Sequence, residues 1–100
     1  MIARLWRGWT SADNAETYAA YVQATGITDY QRTPGNLGAW MLRRREGDRV
    51  EFLTLSFWDS EDAIRGFAGE DIGKAVFYPE DDRYLVDREE RAQHYEVHGS

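Results

Sequence analysis

The spacing of apolar residues changes along this chain from the two-residue repeat of strands to the three-and-four repeat of helices, and back. Residues 2–9 (IARLWRGW) read as a first strand and residues 92–98 (AQHYEVH) as a last one. Between them, residues 37–46 (LGAWMLRRRE) and 49–58 (RVEFLTLSFW) flank Gly47-Asp48, a two-residue hairpin signal. Ala15, Tyr18, Val22 and Thr25 form a helical stripe, opened by a capping box of Asp13 and Glu16 and stopped at Gly26. Pro34-Gly35 suits a type II turn. Asp59 or Ser60 caps a second helix, with Asp62 in its first turn, Ala63, Ile64 and Phe67 on its inner stripe and Gly69 at its end. Asp71 opens a further short helix carrying Ile72, Ala75 and Val76. Pro79 closes it, and EDDRYL adds one more turn.

This order predicts an α+β fold, a ferredoxin-like sandwich in which a four-stranded antiparallel sheet carries helices on one face. The stretch EFLTLSFW (51–58) then raises a question. Leu53, Leu55 and Phe57 fall on one face, while Phe52, Thr54, Ser56 and Trp58 fall on the other. A sheet with one wet face should alternate apolar and polar, and this strand does not. Two helices cover one face only. The second cover is expected from another copy of the chain, dimerising through the sheets into an α+β barrel. The face with two hydroxyls between two large rings makes a hollow with a polar floor, and is assigned to the helices and a ligand. Residues 1–98 are expected to form a single domain, with 99–100 as a tail.

Composition narrows the function classes. The net charge is −6, and residues 51–100 carry 13 acidic groups against 5 basic ones. Such a balance argues against a nucleic-acid partner. There is no cysteine, hence no disulfide, thiol nucleophile or thiolate metal site. No 18-residue apolar run and no signal-peptide core is present, so no membrane is expected and the location is expected to be cytoplasmic. Aromatic residues make up 14%, with 4 Trp, more ring surface than a plain core of this size needs.

The frame TPGNLGAWMLRRREGDRVEFLTLSFWDSEDAIRGFAGED, followed by AVFYPEDDRYL and a closing HYEV, resembles the antibiotic biosynthesis monooxygenase family. The resemblance spans nearly the whole chain and is most specific at FWDSEDAIRGFAG and HYEV. It implies a ferredoxin-like subunit, a dimeric α+β barrel and a small-molecule pocket between sheet and helices. The family includes cofactor-free oxygenases of aromatic polyketides, haem-degrading enzymes, signal-molecule monooxygenases and many small proteins of unassigned role. The haem-degrading branch carries a Trp and then an axial His beyond its strand-end Trp. Counting from Trp58, those places hold Phe67 and Phe77, and neither can ligate iron. No cofactor is therefore expected.

His94 and His98 would lie about 13 Å apart on a strand, too far for one metal ion. His94, inside the sheet, is weighed evenly between a structural hydrogen bond and a pocket role. Arg43, Arg44 and Arg45 sit at a hairpin end and read as solvated. Glu80, Asp81 and Asp82 interleave with arginines and read as surface ion pairs. Of Trp6, Trp9, Trp40 and Trp58, at most two are expected to wall a pocket. No nucleophile elbow, phosphate loop or dinucleotide fingerprint occurs.

Two functions follow. The first is a homodimeric monooxygenase, free of metal and flavin, acting on a small aromatic or polyketide-like substrate. Triplet dioxygen reacts slowly with closed-shell organic molecules, so the protein must make its substrate electron-rich by taking a proton from it. The expected site has Trp6, Phe52, Thr54, Ser56, Trp58, Phe67 and Phe77 around the substrate and His94 as the base, with molecular oxygen as co-substrate. The second is a non-catalytic, small-molecule-binding or stress-related dimer on the same scaffold.

Overall fold

Strand β1 (Ile2–Ser11) lies at the centre of the sheet in the computed structural model, which describes residues 1–99. Ser100, part of the expected tail, lies outside the described residues. On one side β1 runs antiparallel to β3 (Arg49–Trp58), with Ile2 opposite Trp58 and Ser11 opposite Arg49. β3 in turn pairs with β2 (Asn36–Glu46), its hairpin partner. Gly47 takes the first turn position with φ +63°, the conformation this tight connection requires. The other edge of β1 takes two short strands. β4 (Leu85–Arg88) pairs with Gly8–Thr10, and β5 (Gln93–Glu96) pairs with Ile2–Leu5. The order β2-β3-β1 with a split fourth lane is the ferredoxin-like arrangement expected. The pattern at 92–98 revealed only the second half of that lane.

The first helix is longer than its pattern predicts. A 3₁₀ turn (Ala12–Asn14) leads into α1 (Ala15–Val22), a π-helical turn (Gln23–Ile27) and α2 (Thr28–Arg32). No side chain caps the start; the Ala15 amide bonds the Ala12 carbonyl instead of using an Asp13–Glu16 box. Gly26 does not stop the helix, because it holds ordinary helical backbone rather than a positive φ. The extra residue of the π turn is accommodated by hydroxyls that donate back to carbonyls, Thr25 to Tyr21 at 2.7 Å and Thr28 to Gln23 at 2.8 Å. The run ends before Pro34, which disfavours helix at Thr33. The Pro34-Gly35 turn closes with Asn36 N–H to the Thr33 carbonyl at 3.1 Å and Gly35 at φ +90°.

α3 (Glu61–Ala68) is capped as its sequence predicts, Ser60 Oγ accepting from the Ala63 amide at 3.1 Å and Gly69 ending it at φ +87°. The helix expected after Asp71 is absent. Asp71 accepts from the Gly73 amide at 3.1 Å, making a local turn. The backbone beyond then bonds across to residues 90–92, Ala75 N–H to Glu90 and Ala92 N–H to Gly73, so nothing remains for a helix ladder. A single turn, α4 (Asp81–Tyr84), precedes β4.

α1, α2 and α3 cover one face. Tyr18, Val22, Ile27, Tyr30 and Ile64 pack on Val50, Phe52 and Trp58. Phe52 and Trp58 are wholly buried, each ring contributing about 3 kcal/mol by removal from water. The opposite face has no helix over it among the described residues. Ala3, Leu5, Leu53, Leu55 and Phe57 lie there by register with Trp40 (53% exposed), Leu42 and Tyr95. Its edge is polar: Glu51 sits 3.0 Å from Arg44 and 3.5 Å from Arg7. No described helix is long and apolar enough to cross a membrane.

Candidate functional site

Between the covered sheet face and the helices lies a cavity of about 30 Å³. Arg4 and Trp6 of β1 and Thr54 of β3 form its floor. Tyr18, Val22, Thr25, Gly26 and Tyr30 form one wall, so the π turn is what brings Thr25 and Gly26 to the site. Phe67 of α3 and the 69–80 segment, through Ala75, Val76 and Tyr78, close the rest, with Asp81 at one end. A space this small holds a few water molecules. A ligand of ordinary size needs roughly 300 Å³ or more, so the lining must yield to admit one.

Of the residues singled out in the sequence, Trp6, Thr54 and Phe67 line this cavity. Phe52, Ser56 and Trp58 lie on the same sheet face but behind the lining. Trp58 gives its indole N–H to Ser56 Oγ at 2.9 Å and stands 6.2 Å from the Phe67 ring. Phe77 is outside the lining; it packs edge-on to Trp6 at 6.2 Å, with the Arg88 guanidinium over its ring. Trp9 and Trp40 belong to the open face. His94 stands outside the cavity, paired in register with Arg4. Its Nε2 lies 2.9 Å from Arg4 Nη1. A guanidinium only donates, so Nε2 accepts and the ring proton sits on Nδ1. Burial, then the Arg4 charge, holds the imidazole below its ordinary 6.5.

The structure adds groups that the sequence pattern did not single out. Asp81 is buried (5% exposed), unlike its neighbours Glu80 and Asp82, which pair on the surface with Arg83 and Arg88 as expected. Tyr18 donates to Asp81 Oδ1 at 3.0 Å, and the Tyr78 amide donates to Oδ2 at 2.7 Å. Those two hydrogen bonds favour the carboxylate, yet burial outweighs them and pushes the carboxyl above its ordinary 3.8. Burial also raises both phenols, helped at Tyr18 by Asp81 and at Tyr78 by Asp29, which accepts its hydroxyl at 2.7 Å. Arg4, 1% exposed, has a readable signal in hindsight: it is the one charged residue among the helix-facing positions Ile2, Arg4 and Trp6.

The ferredoxin-like sheet with helices on one face is a fold shared with solved structures of antibiotic biosynthesis monooxygenases. A Bacillus cereus protein classed among them superposes with a TM-score of 0.69 at 13% identity, over 99% of this chain and 94% of that one. SnoaB, a cofactor-independent oxygenase of Streptomyces nogalater, matches in a variant form at 0.65 and 16%, over 99% and 94%. The haem-degrader MhuD of Mycobacterium tuberculosis, with two haems bound in its active site, matches at 0.59 and 17%, over 97% and 95%. At such identities the likeness is one of fold. No protein-family model matches the chain, and no curated protein matches its sequence.

The residues present do not fit a haem. The cavity lining offers no His, Cys or Met to iron, and the hydroxyls of its three tyrosines are engaged, Tyr18 by Asp81, Tyr78 by Asp29 and Tyr30 by Thr54. His94 Nε2 is engaged by Arg4, and His98 sits on the exposed end beside Glu96. Among the described residues there is also no group of three or more His, Cys, Asp or Glu placed to hold a metal ion.

Proposed function

We propose that this chain is a cytoplasmic, homodimeric monooxygenase that oxidises a small aromatic, polyketide-like substrate with molecular oxygen and no cofactor. The observation that carries the reading is a buried carboxyl with a raised proton affinity, Asp81, set in the wall of an aromatic cavity. Its remaining lone pairs can accept a proton from an acidic ring carbon or phenol. With an anthrone, loss of that proton gives an enolate. The enolate passes one electron to dioxygen, and the radical and superoxide combine at carbon into a peroxide. Breaking the O–O bond with loss of water leaves the quinone, so one anthrone and one dioxygen become one quinone and one water.

Trp6, Thr54 and Phe67 contact the ring in this reading, and Phe52, Ser56, Trp58 and Phe77 hold those walls in place. His94 acts through Arg4 as a positioning residue, since its acceptor nitrogen is already taken. The homodimer is supported by the open apolar face with its charged edge. Oxygen uptake with a panel of anthrones and hydroquinones, in protein treated with chelator, tests the reading; oxidation of none of them overturns it. The small free space of the cavity favours a second reading, a dimer that binds such molecules without turning them over. Ligand binding with no oxygen consumption decides for it.

A further inference from the structure

The Arg4 guanidinium is buried, and it meets no counter-ion among the described residues. Its Nη1 donates to the Ile72 carbonyl and to His94 Nε2, and its Nη2 to the Lys74 carbonyl at 3.2 Å. All three acceptors are neutral. Nε–H has no acceptor at all, and among the described residues no carboxylate forms an ion pair with Arg4. A buried charge of this kind is costly unless an opposite charge or a full set of hydrogen bonds compensates it. Yet the side chain forms part of the cavity floor, with the Phe67 ring 5.7 Å from its central carbon and Trp6 two residues along the strand.

We propose that Arg4 is the seat of a ligand oxyanion, and that the cavity takes planar aromatic molecules bearing a carboxylate or phenolate. The inference rests on the reading above only in placing the ligand in this cavity; it needs no oxygen chemistry. The carbonyls of Ile72 and Lys74 hold the place of the anion in the free protein. A ligand oxygen exchanges with them, which releases the 69–80 segment from the floor and enlarges the space. Arg4 and Gly8 are separated by four residues of strand, about 13 Å. Asp81 belongs to the Gly8 end, through Tyr18 on Phe52, which faces Gly8. A flat ring system laid along β1 therefore meets a cation at one end and a proton acceptor at the other.

The test is titration of the full chain with naphthoate and with naphthamide, its uncharged analogue, followed by calorimetry, and with para-nitrophenol followed by absorbance. Naphthoate is expected to bind about tenfold tighter than naphthamide. Arg4→Met is expected to erase that preference, and Arg4→Lys to keep part of it. Bound nitrophenol is expected to take its yellow anionic form at a pH where most of the free compound is protonated. A preference for naphthoate without that colour change supports the seat and assigns it to carboxylates. Equal binding of naphthoate and naphthamide by the unaltered protein, or binding of neither, overturns the proposal with no variant required. Oxygen uptake plays no part in these readings. An anion preference in a protein that oxidises no phenol would leave Arg4 its role and end the oxygenase reading.

Discussion

Tyr18 and Asp81 meet across 3.0 Å inside the core, the phenol donating and the carboxylate accepting, although they are carried by elements at opposite ends of the sequence. The pair is buried on both sides, and the carboxyl keeps its proton to higher pH than an exposed one. Proton affinity raised by burial is what a general base operating near neutrality requires.

Asp81→Asn is expected to lower turnover by about 100-fold while leaving the fold intact, because the amide can still satisfy Tyr78 N–H and donate to the Tyr18 oxygen. The sign of the stability effect is fixed as well. A carboxyl whose folded value lies above 3.8 stabilises the fold most below 3.8, and this contribution is lost as pH rises through the folded value. Thermal unfolding followed from about pH 4 to pH 7 should therefore show the wild type losing ground to Asp81→Asn. Parallel curves would mean that Asp81 is not the titrating group.

His94 titrates in the other sense. Its folded value lies below 6.5, so its contribution is complete above 6.5 and is lost as pH falls below it. His94→Gln, which can still accept from Arg4, should flatten that acidic limb. His94→Ala should weaken ligand binding by about tenfold with a smaller effect on turnover of bound substrate, and the Gln variant should recover most of the loss. A kcat reduced about 100-fold with binding unchanged would make His94 itself the proton acceptor.

The open face is expected to be an interface burying well over about 1,000 Å² in a stable pair of chains. Light scattering should give twice the 11.6 kDa of one chain. Trp40→Glu, on the edge strand β2 of that face opposite Leu55, should shift the particle to 11.6 kDa without loss of helical signal. A wild type that scatters as a monomer at micromolar concentration would sink the proposal.

Gly26 offers a test of the helix that its sequence seemed to end. A Cβ there would lie 3.7 Å from the Tyr78 ring, an ordinary contact, and the backbone is helical. Gly26→Ala is expected to stabilise the fold by about 0.5–1 kcal/mol, seen as a higher Tm. Gly26→Leu instead fills the cavity wall and should abolish ligand binding. Destabilisation by the alanine would show that the π turn needs glycine.

The fold was legible where one signal decided each element. Gly47-Asp48 set the hairpin, Ser60 the start of α3, and the two hydroxyls of Thr54 and Ser56 between Phe52 and Trp58 the covered face. Reading failed where distant partners decided. The segment after Asp71 has helical spacing, but its hydrogen bonds go to residues 90–92, and β4 forms because β1 has an unfilled edge there. The site was half legible. Trp6, Thr54 and Phe67 could be found from size and face, whereas Asp81 looked like any other acid in EDD. Only the fold turns its side chain inward, to Tyr18. His94 stands out in the sequence by its chemistry, while Arg4, the charge it supports, does not, because a single cation in a strand usually points to water.

The split fourth lane bears on how the chain assembles. β1 pairs with nothing near it in sequence: its nearest strand partner is β3, and Ile2 finds Glu96 only across almost the entire chain. The hairpin of β2 and β3 can close from local contacts, while the central strand emerges first during synthesis and must wait for the last strands. Pairings of such long range make folding slow, on the scale of milliseconds to seconds. During that delay an unpaired strand carrying Ile2, Leu5, Trp6 and Trp9 is exposed, so the yield of soluble protein should be set more by how quickly β4 and β5 arrive than by the stability of the finished sheet.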